Sequence, residues 1–162
     1  YIPELPVMYD SLTVYEHLEF IGRAYEVKDW KQRADRLLER MELSDKVKKL
    51  GKELSKGMQQ KLSVICALLP RPEVVIFDEP LVGLDPHAIK ELKELFGELK
   101  RGGASVLIST HMIDSVEDFW DVAHIMMNGR FAATRENREG VDEKPLEQLF
   151  FEITERDKGE RA

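Results

Sequence analysis

Residues 74–80 read Val-Val-Ile-Phe-Asp-Glu-Pro: a continuous apolar run of strand length, closed by two acids and a proline. Apolar residues without polar alternation suit a strand buried on both faces, as in a parallel sheet covered by helices. The next thirty residues fit that reading. Asp85-Pro86 supplies an N-cap and a first-turn proline. Ile89, Leu92, Leu95, Phe96 and Leu99 then make a helical stripe, and Gly102-Gly103 stops it. Ser105–Ser109 is a second apolar strand. Strand, helix, strand predicts a βαβ unit, and hence an α/β protein with parallel pairing. Both acids then fall at the carboxyl end of a parallel strand, where ligands bind in open α/β folds.

Upstream of this unit the chain reads as helical. Thr13 and Glu16 have capping-box spacing, with Val14, Leu18, Ile21 and Tyr25 on one face. Asp29 is the expected cap of a second helix carrying Trp30, Ala34, Leu37, Leu38 and Met41. Ser55 is the expected cap of a third, with Met58, Leu62, Ile65, Cys66 and Leu69, ended by Pro70 and Pro72. Downstream, Asp114–Trp120 is expected to be helical. Val122–Met127 and Arg130–Ala133 are expected to form a hairpin around Asn128-Gly129. Asn137–Lys144 reads as a polar loop, Pro145 opens a last amphipathic helix, and the charged tail from Asp157 is expected to fray.

Composition narrows the class. The 162 residues are 43% apolar and 34% charged, with a net charge of −7. That is enough apolar material for a core, and it excludes a disordered chain. The negative balance argues against a general nucleic-acid-binding face. The apolar runs are too short to span a bilayer, and no signal peptide is visible. One cysteine, Cys66, leaves no disulfide framework, which suits the cytoplasm.

Three places carry chemistry. Asp78 can hold Mg²⁺ directly or through water, and Glu79 can orient and deprotonate a water. Ser55-Lys56-Gly57 at a helix start offers free N–H groups and the helix dipole to an anion. Ser109-Thr110-His111 puts a histidine at the same strand edge as the acids. His17, His87 and His124 have no such setting and read as structural or surface residues.

In this order the motifs resemble those of the ATP-binding cassette (ABC) ATPases. Leu54–Gln59 is similar to the signature motif, Val74–Glu79 to Walker B, Leu84-Asp85 to the D-loop and His111 to the switch histidine. Tyr1-Ile2-Pro3-Glu4 resembles the Q-loop. Met126–Arg130 resembles the hairpin beyond the switch, and Leu146–Phe150 the C-terminal helix of export-type prokaryotic members. The likeness runs through nearly the whole chain. It implies a partial P-loop NTPase fold, α/β in class. The Q-loop segment would span residues 1–9, a helical subdomain 10–72, the C-terminal part of the RecA-like ATPase core 73–156 and a charged tail 157–162.

It also implies ATP and Mg²⁺ as cofactors, and two cassettes closing head to tail on the nucleotides. Ser55, Lys56 and Gly57 would meet the γ-phosphate held by the partner cassette. Asp78 would serve Mg²⁺, Glu79 would be the general base and His111 would sense the γ-phosphate. Asp85 would cross the dimer interface, and Glu4 would stand at the Q-loop metal position. The chain departs from the family pattern in three ways. It contains no G-x-x-x-x-G-K-[ST] loop, which is expected upstream of Tyr1 in a longer protein. Glu4 replaces the Q-loop glutamine. Lys56 and Met58 replace a glycine and the glutamine of the signature.

The implied function is ATP hydrolysis in the nucleotide-binding subunit of a membrane transporter. Its partners would be a second cassette and transmembrane permease subunits, with no nucleic acid. It would lie in the cytoplasm against the inner face of the membrane. The alternative is a non-transport ABC ATPase such as a translation factor. Tyr9, Val14, Tyr15 and Phe20 are candidates for the groove that receives the permease, with at least half of them expected in the subdomain's own core. Without a P-loop strand, one flank of both the Val74–Phe77 and Ser105–Ser109 strands is expected to be unpaired.

Overall fold

Local capping chemistry sets the first helices. In the structure, a computed structural model that describes residues 1–117, 119–137 and 144–160 (side chains through residue 154), α1 is Val14–Ala24. The Thr13 hydroxyl accepts the Glu16 N–H, and the Glu16 carboxylate accepts the Thr13 N–H, so the capping box is complete. Helix α2 is Trp30–Arg40, and here the expected cap differs: the Asp29 carboxylate makes no cap bond and instead takes the Arg71 guanidinium at 2.6 Å. A charged partner outcompetes a neutral backbone donor. Helix α3, Lys56–Leu68, starts at Ser55, whose hydroxyl accepts the Met58 N–H at 3.3 Å. The three helices pack on one another. Val14, Leu18, Ala34, Leu38, Leu62 and Ile65 are buried between them. Each Val, Leu or Ile side chain so removed from water contributes about 1.5–3 kcal/mol, and the Ala34 methyl less. Trp30 presses so closely on Gly22 that an added Cβ would stand 2.5 Å from the indole. Of the four groove candidates, Val14 is buried and Tyr15 packs on Trp30, whereas Tyr9 and Phe20 are exposed.

Strand β1 is Val74–Asp78, α4 is Pro86–Arg101 and β2 is Ser105–Ser109. The strands pair in parallel, Val74 beside Ser105 through to Asp78 beside Ser109. Helix α4 packs against this sheet, with the Phe77 and Phe96 rings 4.7 Å apart. The Ile2 N–H donates to the Ile76 carbonyl at 2.8 Å and the Asp78 N–H to the Ile2 carbonyl at 2.9 Å. This single bridge occupies the carboxyl end of the second edge of β1; the rest of that edge has no strand partner among the described residues, in line with the expected bare flank, and β2 pairs with β1 alone among them. Burial on both faces is also not met. Val75 and Phe77 are buried, but Val74, Ile76 and Leu107 are 60%, 39% and 58% exposed. Helix α4 lies on one face, and Val74, Ile76 and Leu107 stand exposed on the other.

The chain divides into two compact units, Tyr1–Thr110 and His111–Ala162. The second contains β3 (Val122–Met127), β4 (Arg130–Glu136) and α5 (Leu146–Glu160). The first two are antiparallel around Asn128 (φ 51°) and Gly129 (φ 74°), the left-handed pair that a tight hairpin turn needs. The helix expected over Asp114–Trp120 is only a 3₁₀ turn at Ile113–Ser115, and residue 118 lies outside the described residues. Its N–H groups reach back three residues, Val116 to Ile113 and Phe119 to Val116, because so short an uncapped segment does not meet the cost of an α-nucleus. The Leu146 N–H donates to both carboxylate oxygens of Glu117 at 3.0 Å and opens α5. That helix continues to Glu160 instead of fraying at Asp157. Most of the expected Asn137–Lys144 loop, residues 138–143, lies outside the described residues.

Candidate active site

Parallel pairing puts the last residues of β1 and β2 side by side, acids on one strand and hydroxyls on the other. The Ser109 hydroxyl donates to Asp78 Oδ1 at 2.6 Å, and the Tyr1 hydroxyl donates to Asp78 Oδ2 at 2.8 Å. These two donors, Ser109 first, hold the Asp78 carboxyl below its ordinary range, so it stays ionised. The Glu79 N–H donates to the Ser109 carbonyl at 3.0 Å, one rung beyond the strand, and the Thr110 hydroxyl donates to Glu79 Oε2 at 3.2 Å. Glu79 has φ 46°, in the left-handed region that non-glycine residues occupy at a cost. Such strain is held where surrounding bonds over-determine the backbone, commonly at functional sites.

The chain then turns through Pro80–Gly83, with Leu81 buried as anchor and Gly83 at φ 76°. Asp85 opens α4, accepting the N–H groups of His87 and Ala88 at 3.0 Å. These donors, Ala88 first, hold its carboxyl below the ordinary range. This turn lies against the start of α3. A Cβ on Gly83 would stand 3.9 Å from Lys56 Nζ, and one on Gly57 3.9 Å from Leu84. The start of α3 and the Gly83-Leu84 turn are thus neighbours, Asp85 follows that turn directly, and Ser55, Lys56 and Asp85 are exposed.

Glu4 is exposed in a bend after Ile2, and the Asp78 hydrogen bonds go to Ser109 and Tyr1, not to Glu4 or Ser55. His111 follows Thr110 directly and opens the second unit. Sequence reasoning singles out the histidine of Ser-Thr-His and passes over the two hydroxyls. The signal that finds them is register: Ser109 stands opposite Asp78 only once β1 and β2 are aligned. His17, read as structural or surface, is buried. It accepts the Tyr9 N–H at Nε2 and so donates from Nδ1 to the Thr13 carbonyl at 2.8 Å.

A family model described as AAA domain, putative AbiEii toxin, Type IV TA system matches residues 13–113. The chain is 41% identical to the ABC-type transporter ATP-binding protein EcsA of Bacillus subtilis over 98% of its own length and 67% of that protein. It is 32% identical to YthP of the same organism, an uncharacterized ABC transporter ATP-binding protein, over 98% of the chain and 70% of that protein. A solved ATP-binding subunit of an ABC transporter superposes with a TM-score of 0.87 at 37% identity, covering 95% of this chain and 67% of that one. The fold is that of a nucleotide-binding ATPase cassette. The chain belongs to the ABC transporter ATP-binding proteins, the ATPases that power transport, and the translation-factor alternative is not favoured.

Proposed function

We propose that the carboxyl end of β1 is the hydrolytic centre of the cassette, with Asp78 on the metal side and Glu79 as general base. The observation that supports this most directly is the strained Glu79 beside an ionised, doubly hydrogen-bonded Asp78. The donor set suits Mg²⁺. No group of three or more His, Cys, Asp or Glu side chains forms a cage among the described residues. Mg²⁺ is commonly held by one or two carboxylates with substrate phosphates and water, and Asp78, with Glu4 as a second candidate, is of that kind. The ion would neutralise charge developing on the phosphates.

The chain's own residues divide the remaining work. Glu79 accepts the proton of the attacking water. Ser55, Lys56 and Gly57 at the start of α3 present a hydroxyl, an ammonium and open backbone to the γ-phosphate of a partner cassette, where the helix dipole favours an anion. Lys56 takes over part of the attraction that Met58, lacking an amide, does not supply. His111 contacts the γ-phosphate, and Asp85 lies at the cassette interface. A P-loop, G-x-x-x-x-G-K-[ST], would complete the site. The partners are a second cassette and transmembrane permease subunits, which fits a position on the cytoplasmic face of a membrane. No helix among the described residues is long and apolar enough to cross one.

The test is Glu79→Gln in the cassette protein that joins this chain to a P-loop. Nucleotide binding is expected to persist while hydrolysis falls on the order of a hundredfold or more. Turnover near the parent rate would remove Glu79 from the role of base.

A further inference from the structure

We propose that Ser109 and Thr110 are positioning residues for the two carboxylates, Ser109 setting Asp78 and Thr110 setting Glu79; this rests on the reading of Asp78 as the metal-side acid and Glu79 as the base. Three observations carry it. Asp78 and Ser109 are lateral partners in the parallel register, so their side chains leave the sheet on the same face. The Ser109 Oγ–Oδ1 distance of 2.6 Å is in the range of a hydrogen bond to an ionised oxygen and is much shorter than its 3.4 Å approach to the Phe77 carbonyl, so the proton goes to Asp78. The Glu79 backbone is tied to the Ser109 carbonyl while its side chain is tied to the Thr110 hydroxyl, so successive residues at the end of β2 hold main chain and side chain of the same acid.

The consequence is geometric. A glutamate in a left-handed turn has several side-chain rotamers open to it, and each displaces the carboxylate from the line of an attacking water. A bond from a β-branched threonine, itself stiff at χ1, at 3.2 Å favours one of these rotamers before nucleotide arrives. The effective molarity of a correctly held base is lost when the base wanders. Ser109 acts likewise on Asp78. With one hydroxyl on each oxygen, from Ser109 and Tyr1, the carboxylate plane is fixed, and its further lone-pair sites are left for a hydrated cation.

The experiment uses the intact cassette protein that joins this chain to a P-loop, with Glu79→Gln as reference. Thr110→Val keeps the branched shape and removes the hydroxyl. It is expected to lower kcat roughly tenfold at unchanged KM for ATP, the size of one hydrogen bond to a charged group. Thr110→Ser is expected to restore kcat to near the parent. Added to Glu79→Gln, Thr110→Val is expected to cost nothing further. Ser109→Ala is expected to weaken Mn²⁺ binding to the ATP-bound protein several-fold, read by electron paramagnetic resonance, with metal-free ATP binding unchanged.

An inactive Glu79→Gln together with a Thr110→Val at parental rate overturns the positioning role and leaves the base intact. A fully active Glu79→Gln overturns the base, and the proposal with it. Equal losses in Thr110→Ser and Thr110→Val overturn the role of the hydroxyl. Unchanged Mn²⁺ affinity in Ser109→Ala overturns the Asp78 half.

Discussion

Asp85 illustrates how much one residue determines when its partners are local. Its carboxylate takes two N–H groups from the first turn of α4, and its folded-state titration is lowered as a result. The sign comes from linkage: the folded protein binds this proton less readily than the unfolded chain. The stabilisation is therefore complete above the ordinary carboxylate range and is lost as pH falls through the lowered folded-state value. Asp85→Asn keeps a capping oxygen without the charge. Its melting temperature is expected to lie below the parent's at neutral pH, with the gap closing as the medium is acidified. A gap that does not change with pH would show that the charge contributes nothing. This cap is legible in the sequence because cap and donors lie within three residues. Asp29 misleads for the converse reason: its partner, Arg71, comes from the far end of the helical segment.

At the scale of elements, helices α1 to α4 are legible from their stripes, and the parallel β1–β2 pair and the β3–β4 hairpin from the order of elements and the Asn128-Gly129 turn, whereas the bridge at Ile2 is not. Nothing local in Tyr1-Ile2-Pro3 announces that Ile2 hydrogen-bonds alongside β1, and the positioning hydroxyls emerge only from the register of β1 on β2. Helix α3 poses the sharper question, because the Ser55 hydroxyl already has a structural partner in the Met58 N–H. If capping is its whole role, Ser55→Ala costs about 1 kcal/mol of stability and spares the ATPase of the intact cassette protein. If Ser55 meets the partner's nucleotide, the same change spares binding to one cassette and impairs closure and hydrolysis. Mixing a Ser55→Arg protein with one whose P-loop is broken separates the cases. A mixed dimer holds one composite site with both defects and one with neither. Recovery of hydrolysis in the mixture is the expected result, and demonstrated mixed dimers without activity would count against a shared site.

For the whole molecule, the uncovered side of the parallel sheet has the largest physical consequence. Ile76 and Leu107 are lateral neighbours on that face, Val74 lies two residues along the same strand, and all three are exposed. The continuous apolar run at 74–77 is why the sequence alone suggests a strand covered on both faces, whereas only alternate residues, Val75 and Phe77, are buried. β2 also has one edge without a strand partner among the described residues. Apolar faces and unpaired edges favour association, while a net charge of −7 opposes it over a distance set by salt. The isolated 162-residue chain is therefore expected to bind an apolar dye and to self-associate at high concentration, more strongly as ionic strength rises. Leu107→Lys places a charge in the middle of the patch on a side chain that is already solvent-exposed. It should reduce both dye binding and association in sedimentation while leaving the far-ultraviolet circular dichroism unchanged. A parent chain that stays monomeric and dye-free at high salt would mean that this face is covered in solution, and Leu107→Lys would then disturb the fold instead of freeing it from association.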